Sequence, residues 1–94
     1  MAGFDVVGEA ANGTEARAAT RQLQPAVVLL DIQLPDTDGF HVAEALAQEP
    51  GPPMVVLISS REAAAYGSRI AAAPARGFIP KLLLSGSALA ELLG

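Results

Sequence analysis

The sequence predicts an α/β fold built on a parallel sheet with helices on both faces. Two observations predict it. Short apolar runs (FDVVGEA, AVVLL, MVVLI, FIP) alternate along the chain with longer amphipathic stretches, the rhythm of repeated strand–helix units. The inner runs are also continuously apolar rather than alternating, as strands buried on both faces are. With 94 residues, of which 51% are hydrophobic and 17% charged, the chain suits one small domain and is too apolar for a disordered segment.

Each element follows from local chemistry. Phe4–Ala10 reads as the first strand. Ala11–Asn12–Gly13 turns the chain into a helix over Thr14–Leu23, with Asn12 or Thr14 as N-cap, and Pro25 ends it. Ala26–Leu30 is a buried strand that delivers Asp31 at its carboxyl end. Gln33–Gly39 is a loop, and Asp38 caps a helix running to Gln48 that carries Phe40, Ala43 and Leu46 on one face. Glu49–Pro53 is too rich in proline to continue it. Met54–Ile58 is the next strand and ends in Ser59–Ser60. Arg61–Ala73 reads as a helix with Gly67 its weak point, and Ser60 is the better placed of the two serines to cap it. Pro74–Gly77 turns, Phe78–Pro80 is a short strand leading to Lys81, and Ser85 or Ser87 caps a last helix ending near Leu93.

Composition excludes several function classes. The chain has no cysteine, so thiol chemistry, disulfides and cysteine-ligated zinc are out. A formal net charge of −4 argues against a basic surface for nucleic acid. No apolar run approaches the ~20 residues of a membrane helix, and the N-terminus lacks the basic and apolar regions of a secretion signal. A cytoplasmic protein is expected.

Parallel sheets bind ligands at the carboxyl ends of their strands. Three polar residues fall there: Asp31, Ser59 and Lys81, the last being the chain's single lysine. A strand-end aspartate can act as a nucleophile toward phosphorus. A lysine supplies a cationic donor to a phosphate oxygen, and a serine hydroxyl can supply another. Taken alone, Asp31 could be a loop carboxylate, Ser59 a helix cap and Lys81 a solvated lysine. Asp36 and Asp38 suggest a metal pair, but loop solvation and N-capping account for them more simply. His41 is expected on an exposed helix turn, and Tyr66 and Phe78 in packing.

The segments Val27–Gly39 (VVLLDIQLPDTDG), Val55–Ser60 (VVLISS) and Gly77–Lys81 (GFIPK) resemble, in order and spacing, the receiver domain of bacterial two-component response regulators. Val6–Ala16 (VVGEAANGTEA) is similar to receivers linked to a LuxR-type DNA-binding domain. The resemblance covers the whole chain, 1–94, as one receiver domain, and implies a flavodoxin-like fold. It implies that Asp31 is the phospho-acceptor, that the Ser59 hydroxyl turns toward the phosphoryl group on activation, that Phe78 changes rotamer with it, and that Lys81 pairs with the phosphate. It further implies that the backbone carbonyl of Gln33 joins Asp31 as a Mg²⁺ ligand, that Pro35 and Gly39 shape the loop, and that the partner is a histidine kinase.

Two departures shape the expectations. Receivers open with a central strand ending in two acidic residues that hold Mg²⁺, and that strand would lie before Met1, within roughly 30 residues of family pattern. Asp5 and Glu9 do not replace the pair, so weak metal binding and impaired phosphorylation are expected. An open apolar strand edge would also invite a homodimer or a strand-exchanged oligomer. The alternative function is therefore a receiver-like interaction domain that is not phosphorylated. An aspartyl phosphatase ranks last, because such enzymes place a second Asp two residues on, where this chain has Gln33. The second departure is Pro80 preceding Lys81 rather than following it.

Overall fold

The computed structural model describes Phe4, Asp5 and residues 7–94. The first helix, α1 (Gly13–Leu23), starts where Asn12 adopts extended geometry and its side chain accepts the Glu15 N–H at 2.9 Å. Glu15 answers from the first turn by accepting the Ala11 N–H, a reciprocal arrangement close to a capping box. Gln24 closes the helix in left-handed geometry (φ 47°) and hands its N–H to Thr20; Pro25 then blocks continuation.

The strands β1 (Val27–Asp31), β2 (Met54–Ser59) and β3 (Gly77–Pro80) form a three-stranded sheet in the order β1-β2-β3, parallel throughout. Helix α2 (Gly39–Ala47) connects β1 to β2, the four-residue α3 (Arg69–Ala72) precedes β3, and α4 (Gly86–Leu93) follows it. Ser85 is the cap of α4, accepting the Ala88 N–H at 3.0 Å. Neighbours across the sheet are Leu30, Leu57 and Phe78 on one face and Leu29, Val56 and Gly77 on the other, as the register dictates.

The two faces are unequally filled. On one, Leu30, Val55 and Leu57 meet Phe40, Val42, Ala43 and Leu46 of α2, with Ala16 of α1, Tyr66 and Ile70 against them. On the other, Val56 and Ile79 meet Leu89 of α4, flanked by Phe4, Leu84 and Leu92. Helices therefore cover both faces of a parallel sheet, as the sequence predicts.

Two expected elements differ. The described residues of Phe4–Ala10 carry no strand, and Val6 lies outside the described residues. None of the three described strands pairs with this segment, and an unpaired strand has nothing to exchange its peptide hydrogen bonds with. Phe4 packs on the smaller core while Val7 is exposed. The expected long helix over Arg61–Ala73 is broken into a 3₁₀ turn at Ala63–Ala65, a reversal through Gly67 at φ 57°, and α3. Alanine favours helix, but the exposed Ala63–Ala65 offer no apolar stripe to bury, and a short helix without one is marginal. Ser60 accordingly has no helix at Arg61 to cap.

Candidate functional site

Asp31 ends β1, and Lys81 follows β3 directly. In the register Asp31 stands beside Ile58, which stands beside Ile79. Lys81 lies two residues beyond Ile79, so its side chain leaves the same face as Asp31. The topology thus joins residues 50 positions apart: Lys81 Nζ is 2.5 Å from Asp31 Oδ2. The other carboxylate oxygen, Oδ1, accepts the Gln33 N–H at 2.9 Å. One oxygen is oriented by the backbone and the other by the ammonium, and both side chains are partly open to solvent.

Ser59 belongs to the opposite face, one residue beyond the partner of Asp31. It is fully buried, and its Oγ bonds to Tyr66 Oη at 2.5 Å while accepting the Arg61 N–H at 3.0 Å. Phe78 lies on that face too, its ring 6.1 Å from Tyr66. The structure therefore brings Asp31 and Lys81 into contact and commits Ser59 elsewhere.

The loop after Asp31 is anchored at three points. Ile32 N–H binds Ile58 O and Gly39 N–H binds Ile32 O at 2.8 Å. Asp36 accepts the N–H groups of Gly13 (2.8 Å) and Thr14 (3.1 Å) and the Thr14 hydroxyl. Asp38 caps α2 through the His41 N–H and pairs with Arg69 at 3.3 Å, while the Arg69 guanidinium lies 4.3 Å over the Phe40 ring. Gln33 pairs with Asp38 in an isolated antiparallel bridge, Pro35 sits in the exposed bend between them, and His41 is exposed.

Asp36 lies exposed in the loop, as the sequence suggests, and it also clamps the start of α1. Nothing in the spacing of Asp36 from Gly13 announces this, because the contact is made by backbone donors that every helix start offers. Tyr66 was legible as a packing residue, and its hydroxyl contact was not.

These hydrogen bonds hold the Asp36 carboxyl below its ordinary value of 3.8, chiefly through the Gly13 N–H. The His41 N–H, opposed by burial and then assisted by Arg69, does the same for Asp38. A carboxyl lowered in the folded state stabilises the fold fully above its unfolded value, and that contribution is lost as pH falls through the folded value. Thermal melts followed by circular dichroism should hold steady from pH 7 to about 5, then fall below the ordinary aspartate value. Asp36→Asn with Asp38→Asn should lower the neutral midpoint and flatten the acid decline; an unchanged acid slope would refute the assignment.

Comparison with known proteins decides the family. The description "Response regulator receiver domain" matches residues 1–92. The chain belongs to this family. The receiver domain superposes on the signal receiver domain of the response regulator NarL from Mycobacterium tuberculosis with a TM-score of 0.79 and 32% identity, over 96% of this chain and 76% of that one. It is 32% identical over 91 residues to the response regulator GacA of Pseudomonas viridiflava, covering 97% of this chain and 41% of that protein. It is 40% identical over 65 residues to a protein-glutamate methylesterase of Anaeromyxobacter dehalogenans, covering 68% of this chain and 19% of the enzyme. The chain spans about a fifth to two-fifths of the length of such curated relatives. Receiver domains work in phosphorelay signal transduction, and they are not themselves enzymes. No helix among the described residues is long and apolar enough to cross a membrane.

Receivers as a class use Mg²⁺ in phosphorylation, and the donors for it can be tested here. Among the described residues no three His, Asp or Glu side chains converge. At the strand end the side-chain oxygens are those of Asp31 alone, and both are already bonded. Asp36 and Asp38 are spent on helix starts. One carboxylate and a loop carbonyl fall short of the oxygen set that Mg²⁺ requires; the described residues do not compose that site.

Proposed function

We propose that Asp31 is the phospho-acceptor of this receiver and Lys81 its charge partner, with a histidine kinase as donor. The observation that carries the reading is the Lys81–Asp31 ion pair at the carboxyl edge of the parallel sheet. A carboxylate oxygen of Asp31 attacks phosphorus, the phosphorus–nitrogen bond of the donor's phosphohistidine breaks, and its electron pair leaves with the imidazole. Oδ1 is fixed by Gln33 N–H, which leaves Oδ2 as the attacking oxygen, and the Lys81 ammonium passes to a phosphoryl oxygen as charge accumulates. Leu82 and Leu83, 96% and 68% exposed directly after Lys81, give a protein donor an apolar place to seat beside the site. The chain acts in the cytoplasm in this reading, and output to DNA or to an enzyme belongs to other segments or chains.

A second reading, an interaction module without phosphorylation, is favoured by the shortage of carboxylates around Asp31. It is favoured also by the position of β1 at the edge of the described sheet, where pairing with a second copy as a homodimer or strand-exchanged oligomer is open. Intact mass after incubation with acetyl phosphate and Mg²⁺ separates the two. The acceptor reading predicts a phosphoryl adduct on the wild type and none on Asp31→Asn. No adduct on a folded sample, together with concentration-dependent sedimentation, would replace it with the second.

A further inference from the structure

The Ser59 hydroxyl is committed to a residue that the acceptor chemistry does not use. Ser59 Oγ is buried at the end of β2, 2.5 Å from Tyr66 Oη, and one hydroxyl donates to the other. The Arg61 N–H occupies the same oxygen at 3.0 Å. The bond to Tyr66, whose ring packs with the α2 core, draws the hydroxyl toward the α2 side of the sheet, away from the face that carries Asp31 and Lys81. A phosphoryl group projecting past the strand end could take this hydroxyl only if Ser59 rotated about its own Cα–Cβ bond and gave up Tyr66.

Tyr66 is built for such a hold. Its ring lies edge-on to Phe40 at 5.7 Å and 67° and leans on Phe78 at 6.1 Å. The residues on either side, Arg61–Ala65 and Gly67–Arg69, are exposed. Tyr66 is the half-buried side chain within this stretch, and Arg69 adds its pair with Asp38 and its stack on Phe40; two aromatic neighbours hold the Tyr66 ring so that its hydroxyl stays on Ser59. Phe78 has no hydroxyl to offer. Tyr66 is the only tyrosine in the sequence.

We propose that Tyr66 is a positioning residue: its hydroxyl holds Ser59 away from the acceptor, and a phosphoryl group on Asp31 must compete with Tyr66 for that hydroxyl. The proposal rests on the acceptor reading above. It makes Tyr66 a brake on phosphorylation that acts through Ser59 and leaves Asp31 and Lys81 untouched.

The chain has one tyrosine and no tryptophan, so its near-ultraviolet tyrosine band reports on Tyr66 alone. Without any donor, Ser59→Ala should shift that band relative to wild type, because the phenol loses its partner. With acetyl phosphate and Mg²⁺, wild type should show a shift in the same sense as the adduct forms, and Ser59→Ala should show none. At sub-saturating donor, Tyr66→Phe, which keeps the ring and both aromatic contacts, should carry a roughly threefold to tenfold higher ratio of phosphorylated to free protein, the worth of one neutral hydrogen bond. That gain should vanish in the Ser59→Ala background, which a merely structural role for Tyr66 would not produce. An unshifted band in Ser59→Ala overturns the bond. An adduct equally abundant in wild type and Tyr66→Phe, or formed in wild type without a shift, overturns the competition. No adduct on any variant overturns the acceptor reading and the competition with it, while the donor-free spectra still decide the Ser59–Tyr66 bond.

Discussion

Gly39→Ala should lower the melting temperature by about 10 °C, the result of an overpacking cost of roughly 2 kcal/mol in a domain of this size. Gly39 opens α2 beneath the end of β1. A Cβ added there would stand 2.5 Å from the Asp31 carbonyl oxygen and 2.8 Å from Ile32 Cα. Both obstacles are backbone atoms, of the last residue of β1 and of the residue after it, so no side chain can swing aside. Alanine is the better helix former, so any loss comes from this close approach and not from propensity. Relief requires α2 to back away, which stretches the 2.8 Å bond from Gly39 N–H to Ile32 O and displaces Asp31 itself. A thermal melt equal to wild type would show that the loop yields freely.

Lys81→Met should slow adduct formation from acetyl phosphate on the order of 100-fold, the usual cost of removing one charged donor from an accumulating oxyanion, while leaving the melting temperature nearly unchanged. The two effects separate because the pair is partly solvated. In the resting protein a half-exposed ammonium and a carboxylate contribute about 0–1 kcal/mol. During transfer the same ammonium answers a phosphoryl group whose charge exceeds that of the carboxylate, and methionine fills the space without answering it. Time-resolved intact mass measures the rate, and circular dichroism the stability. A rate within threefold of wild type would remove Lys81 from the site.

The elements legible in the sequence are those whose signals are local or repeat along the chain. Asn12, Asp38 and Ser85 cap helices where their side chains suggest it, and AVVLL and MVVLI supply most of β1 and β2, being short, rich in β-branched residues and apolar throughout, as a sheet buried on both faces requires. The strand-end placement of Asp31 and Lys81 followed from topology, since a parallel sheet gathers its carboxyl ends whatever the spacing between them. The misreadings share another cause. FDVVGEA has strand composition, yet a strand exists only with a partner, and partnership is not a property of seven residues. The alanines after Arg61 have helix propensity, yet propensity without a buried face does not outweigh Gly67. Asp36 on Gly13 and Tyr66 on Ser59 are contacts between distant or turn-separated atoms, for which no periodicity exists.

Pro80 has one more effect, exerted through what it lacks. β3 is an edge of the described sheet, paired with β2 alone. Along such a strand the N–H groups point alternately toward the partner strand and away from the sheet. Ser59 and Pro80 stand side by side in the parallel register, and proline has no N–H to give, so position 80 belongs to the outward set and the ladder loses nothing by it. What is missing is a donor on the open side, where an incoming strand would seek one. A single imino acid thus blunts the carboxyl end of this edge beside Lys81, while β1, the other edge of the described sheet, carries no such stop.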